Sequence, residues 1–397
     1  MREALYLPHR IPYPPQKGDK IRSHHWLRYL ARDYKVHLGT FVDAAEDWQH
    51  VETLDRWCEQ KCVLPLRSLP ATLRSFASLP TRSSLSMAYY RNKAMRRFVS
   101  DVLRERDIDV IVVFSSAMAQ YVDIESTRGI RKVIDFVDVD SDKWRQYSKK
   151  RRWPMSAVYR RESIRLGEEE RQIADDFDAS VFSSPVEVEL FSEMVPEFRH
   201  KLHWVRNGVD TGYFDPDGDY PDPYPAKCAP IVFTGAMDYW PNVDAVTFYA
   251  KNIFPEVRRQ RADAKFFVVG AHPNKAVLDL SRLPGVHVTG TVRSVRPYLA
   301  HAHLAVAPIR LARGLQNKVL EALAMRLPVL LTRAARMGIG HESEQTGMTV
   351  VSANEMVRAT LDQLSRRSAE QPGRAFVQRH FQWEPAFREF GRVLVGS

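Results

Sequence analysis

The feature that most constrains this chain is a repeated alternation of short apolar runs with helical segments. Runs such as 4–7, 36–42 and 109–114 are rich in aliphatic and aromatic residues, which is typical of strands buried on both faces of a parallel sheet. From Gly18 to Tyr34, apolar residues recur three and four positions apart, and this spacing predicts a helix. Strands that alternate with helices predict a parallel sheet with helices on both faces.

The same rhythm returns in the second half of the chain. Four more strands are predicted at 230–235, 264–270, 303–308 and 328–332. Helices are predicted at 242–258 and 315–326. The stretch 208–230 between the halves contains the Asp, Pro and Gly residues that are common in linkers. The sequence therefore predicts an α/β chain with two doubly wound, Rossmann-like domains, whose ligands bind beyond the carboxyl ends of the strands.

Composition allows two cores and points to anionic partners. The chain has 397 residues, enough for two domains, and Lys and Arg exceed Asp and Glu by 58 − 48 = 10. This balance favours nucleic acid, anionic lipid or phosphorylated small molecules as partners. The three cysteines cannot build a disulfide framework, so we expect free thiols. Neither a signal peptide nor an apolar stretch of bilayer length is visible, and we expect a cytoplasmic protein.

The strongest candidate for a ligand site runs from Gly314 to Glu321, which follows a predicted strand and opens a helix. Gly314 lets the backbone approach a ligand closely, and the free N–H groups of a helix start favour a phosphate. Asn317, Lys318 and Glu321 share one helix face, so a carboxylate for sugar hydroxyls lies one turn beyond the phosphate position. The alternative is an ordinary amphipathic helix with a solvated Lys–Glu pair.

This segment resembles the donor-binding motif of the retaining family-four glycosyltransferases. That motif places one glutamate before the glycine loop and a second glutamate eight positions later. Glu321 matches the second glutamate, whereas Arg313 stands where the first is expected. Because Arg313 cannot accept hydrogen bonds from hydroxyls, we expect it to neutralise the leaving diphosphate together with Lys318, or to meet a carboxylated sugar. The resemblance assigns donor binding to the matched positions Gly314, Leu315, Asn317 and Glu321.

Other segments resemble the same family over nearly the whole chain. Asn207 opens a stretch similar to the hinge motif of the family, and Gly235 followed by 239–242 is similar to the start of its donor domain. The basic pair that many relatives carry soon after this glycine is missing here. The resemblance implies a GT-B fold, in which two Rossmann-like domains face a central cleft. The expected parts are an acceptor-side domain at 1–207, a donor domain at 208–375 and a helix at 376–397 that crosses back to the first domain.

The amino-terminal stretch 9–23, taken with 314–324, is similar to the sugar transferases associated with exosortase and PEP-CTERM exopolysaccharide systems. Pro14 and Pro15 stiffen this stretch, and Gly18 permits a tight turn into a helix. The start of that helix is expected to face the donor phosphate from the first domain. A proline-rich surface loop without function is the alternative reading of the same residues.

The aspartate-rich run 135–142 follows a predicted strand. Closely spaced aspartates bind divalent metals and occur in the other major glycosyltransferase fold, but the doubled sheet pattern argues against that fold. Family-four relatives often carry a histidine near this position, and none occurs between His50 and His200. We therefore place Asp138 near the reaction centre, with a solvated turn as the alternative, and expect no metal ligand in the site.

Two clusters mix basic and large apolar residues, which suits an anionic membrane surface. One cluster lies within 67–97 and the other is Lys149 to Arg152 beside Trp153. A solvated basic face is the alternative, and nucleic acid is a weaker one because no nucleic-acid-binding module is recognised.

These observations together predict a glycosyltransferase. It would move a sugar from a nucleotide-diphosphate-sugar donor to a lipid-linked or saccharide acceptor in exopolysaccharide biosynthesis. The family resemblance implies a hexosyltransferase that retains anomeric configuration and needs no cofactor or metal. We expect it in the cytoplasm, on the inner face of the cell membrane, with no nucleic-acid partner. A nucleotide-sugar epimerase and a non-catalytic GT-B scaffold remain the alternatives.

Overall fold

A computed structural model describes residues 2–15, 18–66, 68–310, 315–339, 346–365 and 372–396. The chain divides into two compact units. Unit 1 contains residues 1–205 and 387–397, and unit 2 contains residues 206–386. The sequence places its boundaries after residues 207 and 375, whereas the contacts divide the chain after residues 205 and 386.

Unit 1 is built on a seven-stranded parallel sheet in the order β3-β2-β1-β4-β5-β6-β7. Its strands are β1 (Arg2–Pro8), β2 (Tyr34–Val42), β3 (Gln60–Pro65), β4 (Val110–Phe114), β5 (Arg131–Val137), β6 (Ala179–Phe182) and β7 (Leu202–Trp204). Its helices are α1 (Gly18–Asp33), α2 (Ser68–Ala77), α3 (Leu85–Tyr90), α4 (Lys93–Glu105), α5 (Ser116–Ala119), α6 (Asp140–Lys150), α7 (Met155–Asp176) and α8 (Pro185–Met194).

Unit 2 repeats this architecture with a six-stranded parallel sheet in the order β10-β9-β8-β11-β12-β13. Its strands are β8 (Ala229–Thr234), β9 (Ala264–Val269), β10 (Val286–Gly290), β11 (Leu304–Ala307), β12 (Val329–Leu331) and β13 (Met348–Val350). Its helices are α9 (Trp240–Phe248), α10 (Phe254–Gln260), α11 (Lys275–Leu278), α12 (Arg296–His301), α13 (Asn317–Ala324), α14 (Arg333–Met337), α15 (Met356–Ser365) and α16 (Gly373–His380). The last helix, α17 (Trp383–Val395), begins in unit 2 and ends in unit 1.

The strand order confirms the predicted α/β class with two Rossmann-like domains. In each sheet the first strand, β1 or β8, is the third from one edge. The next two strands of the chain extend the sheet to that edge, and the remaining strands extend it in the other direction. The order reverses between β1 and β4 in unit 1 and between β8 and β11 in unit 2. Ligands of such sheets bind at the carboxyl edge of this switch point, which fixes where a site is to be sought in each unit.

Burial explains why the predicted apolar runs form strands, whereas two predictions about helices were wrong. All five residues of β4 are buried, because helices cover both faces of a parallel sheet. The predicted helix at 242–258 is interrupted, since Tyr249–Ile253 forms a π-helix between α9 and α10. Tyr34 was predicted to lie on the inner face of the first helix but begins β2, where it is buried. Its apolar side chain fits a buried strand as well as a helix.

A buried ion pair in unit 1 joins α1 to β5. The Arg22 Nε donates to Asp135 Oδ2 at 2.6 Å, and the Trp26 Nε1 donates to the same oxygen at 2.6 Å. Both charged side chains are fully buried. The other carboxylate oxygen, Oδ1, accepts from the Val137 amide at 3.0 Å. Asp135, the first residue of the aspartate-rich run, therefore fixes the helix against the sheet and is closed to ligands.

Replacing Arg22 with methionine should destabilise the protein by about 3–5 kcal/mol, because it leaves the Asp135 carboxylate buried without its charged partner. Urea unfolding followed by circular dichroism measures the change. Arg104→Met removes an exposed arginine that pairs with Asp101 on α4 and should change the unfolding midpoint little. Equal effects of the two substitutions would show that the buried pair does not stabilise unit 1.

Candidate functional site

Two glycines are in close contact at the carboxyl edge of the sheet in unit 2, one after β8 and one after β9. Gly235 follows β8 directly, and its amide donates to the Val269 carbonyl at 3.1 Å. A Cβ on Gly270 would lie 1.7 Å from the Gly235 carbonyl oxygen, and a Cβ on Gly235 would lie 3.3 Å from the Lys318 Cε. Only glycine fits at these two positions, and the missing side chains let Lys318 approach the end of β8.

Lys318 lies in the first turn of α13 and its ammonium group reaches the end of β8. Its Nζ donates to Asn242 Oδ1 at 2.5 Å and lies 4.7 Å from the centre of the Phe233 ring. The Asn242 Nδ2 donates in turn to the Ala236 carbonyl at 2.8 Å. The amide of Asn242 is therefore oriented by the backbone, and it holds the ammonium group at the carboxyl edge of the sheet.

Lys318 and Glu321 lie one turn apart on α13. Burial shifts the pKa of each side chain more than the charge of the other does. Burial lowers the pKa of Lys318 to about 8, and Glu321 works against this shift. Burial also raises the pKa of Glu321 to about 7, which Lys318 opposes. Each group thus lacks solvation that the other does not fully replace. An anion at Lys318 and hydroxyl groups at Glu321 would supply what is missing.

The start of α13 offers further polar groups. Gln316 precedes the helix and its side chain makes no capping hydrogen bond. The Asn317 Oδ1 is buried and accepts no hydrogen bond from the residues that the structure describes. Buried polar atoms without partners are rare, and an uncapped helix start presents N–H groups to an anion. Both observations favour a polar ligand at this end of the helix.

The predicted site residues lie in different parts of the chain. Gly235, Asn317, Lys318 and Glu321 lie on the β8 end and on α13 of unit 2, where the sequence placed them. Leu315 packs against the core of unit 2, so its side chain contributes to folding. Asn207 is buried near the start of unit 2, and Gly18 is exposed at the first position of α1 in unit 1. Arg313 and Gly314 lie outside the described residues.

Asp138 lies at the carboxyl end of β5 in unit 1 and is held by two partners. Its carboxylate accepts from the Ser183 Oγ at 2.9 Å and pairs with the Lys143 Nζ at 2.9 Å. Burial acts to raise its pKa, but Lys143, the hydrogen bond from Ser183 and the charge of Arg22 together lower the pKa overall. The preceding residue, Val137, has φ of +69°, a costly conformation for a β-branched residue. Such strain clusters at functional sites, so Asp138 remains a candidate.

The other aspartates of this run do not form a metal site. Asp140 pairs with Lys143, and Asp142 accepts from Arg145 and from Gln146. Within the described ranges, no three His, Cys, Asp or Glu residues come together as metal ligands would.

Sequence reasoning missed two groups of residues. Asn242 belongs to the stretch 239–242 that resembles the family, yet nothing in the sequence indicates that its amide orients Lys318. In unit 1, His9 follows β1 at the switch point and its Nε2 lies 3.4 Å from Asp19 Oδ2. Arg10 donates to the same oxygen at 3.1 Å. The two basic groups lower the pKa of Asp19 although burial acts to raise it. The signal for this cluster is its place directly after an apolar strand.

Comparison with known protein families finds a match within unit 2. Residues 229–366 match the family model described as glycosyl transferases group 1. Unit 2 is similar to group 1 glycosyl transferases. The match begins at β8 and includes Gly235, Asn242, Lys318 and Glu321, so the residues brought together at the switch point lie within it. No curated protein matches the chain in sequence.

Solved structures match the whole chain. A glycosyltransferase from Rickettsia africae is 12% identical with a TM-score of 0.64, and the match covers 100% of this chain and 98% of that one. Sucrose-phosphate synthase from Thermosynechococcus elongatus is 16% identical with a TM-score of 0.68, covering 100% and 99%. HepE of Anabaena, solved in complex with UDP-glucose, is 12% identical with a TM-score of 0.65, covering 100% of both chains. At these identities the likeness shows the fold, which is the predicted GT-B class.

Replacing Glu321 with glutamine should raise the melting temperature, increasingly so as the pH rises. The pKa of Glu321 in the folded protein, about 7, lies above the ordinary value of 4.5. Between these pH values the folded protein holds a proton that the unfolded chain has already lost, so the folded state becomes less stable as the pH rises through this range. The gain from Glu321→Gln should therefore grow from about pH 4.5 to about pH 7 and then level off. Differential scanning calorimetry across this range measures it.

The matched control for this experiment is Glu256→Gln on α10. The hydrogen bond from Arg259 lowers the pKa of this exposed carboxyl to about 2, so its substitution should raise the melting temperature at no pH. A melting temperature of Glu321→Gln that follows the wild type at every pH would show that Glu321 is well solvated.

Proposed function

We propose that this protein is a glycosyltransferase that moves a sugar from a nucleoside-diphosphate sugar to a lipid-linked or saccharide acceptor. The observation that carries the proposal is the Lys318 ammonium group, held by Asn242 at the switch point of unit 2 with a pKa lowered by burial. A poorly solvated cation beside an uncapped helix start is suited to a diphosphate. The match of unit 2 to group 1 glycosyl transferases supports the same ligand.

Unit 2 would bind the donor along α13. The diphosphate would lie at the start of the helix, where the Lys318 ammonium group and the helix N–H groups supply donors, and the Asn317 Oδ1 would accept a hydrogen bond from a hydroxyl of the donor. The Glu321 carboxylate, one turn further on, would accept hydrogen bonds from ribose hydroxyls. HepE was solved with UDP-glucose, which supports a nucleotide sugar as the ligand class for this fold. Arg313, where the family motif carries a glutamate, would add positive charge near the leaving group.

The chemistry follows from where charge develops. The bond between the anomeric carbon and the diphosphate oxygen breaks, and the acceptor hydroxyl oxygen forms the new bond to the same carbon. The leaving diphosphate gains negative charge and takes up the proton that the hydroxyl loses. Below about pH 8 Lys318 is protonated and stabilises this charge. We propose retention of configuration and no required metal, on the strength of the family resemblance alone.

The acceptor would meet unit 1, where Asp138 and the His9–Asp19 pair lie at the carboxyl edge of the sheet. We propose hexosyl transfer in exopolysaccharide biosynthesis, on the inner face of the cell membrane, because the stretch 9–23 resembles the PEP-CTERM-associated transferases. An epimerase or a non-catalytic scaffold is the second candidate. The observation that favours a scaffold is the segment 236–238 after Gly235, which lacks the basic pair that many relatives carry.

Lys318→Ala should lower kcat by about 10²–10³-fold, as the loss of one electrostatic donor to a developing oxyanion does. The assay measures nucleoside diphosphate released from a panel of sugar nucleotides, by the purified protein with a membrane fraction as the source of acceptor. Lys275→Ala, at an exposed lysine on α11 of the same unit, is the matched control and should leave turnover unchanged.

Three outcomes would contradict the proposal. Full turnover by Lys318→Ala would remove the leaving-group role of this lysine. Conversion of the donor to an isomeric sugar nucleotide without acceptor would identify an epimerase. Tight binding of sugar nucleotides without turnover on any acceptor would identify a scaffold.

A further inference from the structure

Helix α2 of unit 1 presents an apolar stripe to solvent. Leu69, Leu73 and Phe76 are 77%, 71% and 49% exposed. Their spacing of four and three residues places them on one face of the helix. Ala71 and Ser75, on the opposite face, are buried against the unit. The helix is therefore amphipathic with its larger apolar residues turned outward, the reverse of what folding alone requires.

A second exposed apolar feature lies at the tip of the hairpin formed by α6 and α7. Trp153 is 82% exposed and Met155 is 37% exposed. Arg151 and Arg152 precede them and are exposed as well. A tryptophan that is almost fully solvated contributes little to the stability of unit 1, so its exposure needs another explanation.

The stripe and the tip belong to the same part of unit 1. The Arg161 Nη2 on α7 donates to the carbonyls of Thr81 and Ser83, at 2.5 Å and 3.1 Å, in the turn that follows α2. The adjacent Glu162 accepts from the Leu85 amide at 2.6 Å. Arg161 lies six positions after Met155, which is about 9 Å along a helix. The tip is thus attached through α7 to the segment that carries the stripe.

The sequence stretches that carry the two features contain charged residues of one sign only. From Leu66 to Ser100 the sequence contains seven basic residues and no acidic residue. From Lys149 to Arg161 it contains six basic residues and no acidic residue. We refer to Leu69, Leu73, Phe76 and residues 149–155 as the basic-apolar surface. Apolar side chains within sequence stretches that carry only positive charge suit a partner that is anionic and has an apolar interior.

We propose that the basic-apolar surface binds an anionic lipid bilayer, with α2 lying in the headgroup region and Trp153 entering at the hairpin tip. Tryptophan favours this interface, where its ring meets both apolar and polar groups. A second copy of the chain fits less well, because two such surfaces would repel each other. No helix among the described residues is long and apolar enough to cross a membrane, so attachment would be peripheral. This proposal rests on the proposed function only for the biological purpose of membrane binding, which is to bring the protein to a lipid-linked acceptor.

The test is co-sedimentation of the full-length protein with vesicles of phosphatidylcholine, with and without phosphatidylglycerol, in the absence of any sugar nucleotide. Wild-type protein should bind the anionic vesicles, and added salt should weaken the binding. Leu73→Asp should weaken it by about tenfold or more, since it removes an apolar side chain from the bilayer. Arg151→Glu combined with Arg152→Glu should weaken binding to anionic vesicles to a similar extent.

Matched controls come from exposed residues of unit 2. Leu278→Asp replaces a leucine that is 50% exposed, and Arg358→Glu reverses an arginine whose side chain is 91% exposed. Neither should change vesicle binding. Absence of binding to anionic vesicles, or equal losses in the variants and the controls, would overturn the proposal. Self-association in sedimentation velocity that Leu73→Asp abolishes, without vesicle binding, would overturn it in favour of a dimer interface. Binding of nucleoside diphosphates, measured separately, decides the proposed function independently.

Discussion

The hydrogen bond from Lys318 to Asn242 is the constraint on which the donor site depends. It joins the first turn of α13 to the residues after β8, although the two positions are 76 residues apart in sequence. The missing side chain of Gly235 makes room for this bond, and the Ala236 carbonyl orients the amide that accepts it. These contacts hold the ammonium group at the end of β8, where burial lowers its pKa.

The poor solvation of this site is part of how it would function. A lysine whose charge is already paired would gain little from a phosphate. Burial lowers the pKa of Lys318 to about 8, so a bound anion would stabilise its charged form. Glu321, with its pKa raised to about 7, is in the corresponding state for hydroxyl donors. The site therefore costs stability that a bound ligand would restore, as is common at functional sites.

The sequence predicted the fold well because buried parallel strands are continuous apolar runs. Strands such as β4 and β8 were found on this basis, but β3, β7, β10 and β13 were not, since each is partly exposed and contains polar residues. The helix face of Asn317, Lys318 and Glu321 follows from spacing alone. The partners of Asp135 and Lys318 do not, because each contact links positions far apart in the chain. The sequence also does not separate the buried Asp135 from the candidate Asp138, which lies three positions further on.

The most direct test of the central claim is the proton balance when a nucleoside diphosphate binds. Isothermal titration calorimetry of UDP and of GDP, in buffers of different ionisation enthalpy, measures the number of protons taken up. At pH values above about 8 Lys318 is largely neutral in the free protein, so binding of the accepted nucleotide should take up a proton that Lys318→Met does not take up. Binding at such pH without proton uptake, or with the same uptake in Lys318→Met, would contradict the assignment of Lys318 to the diphosphate.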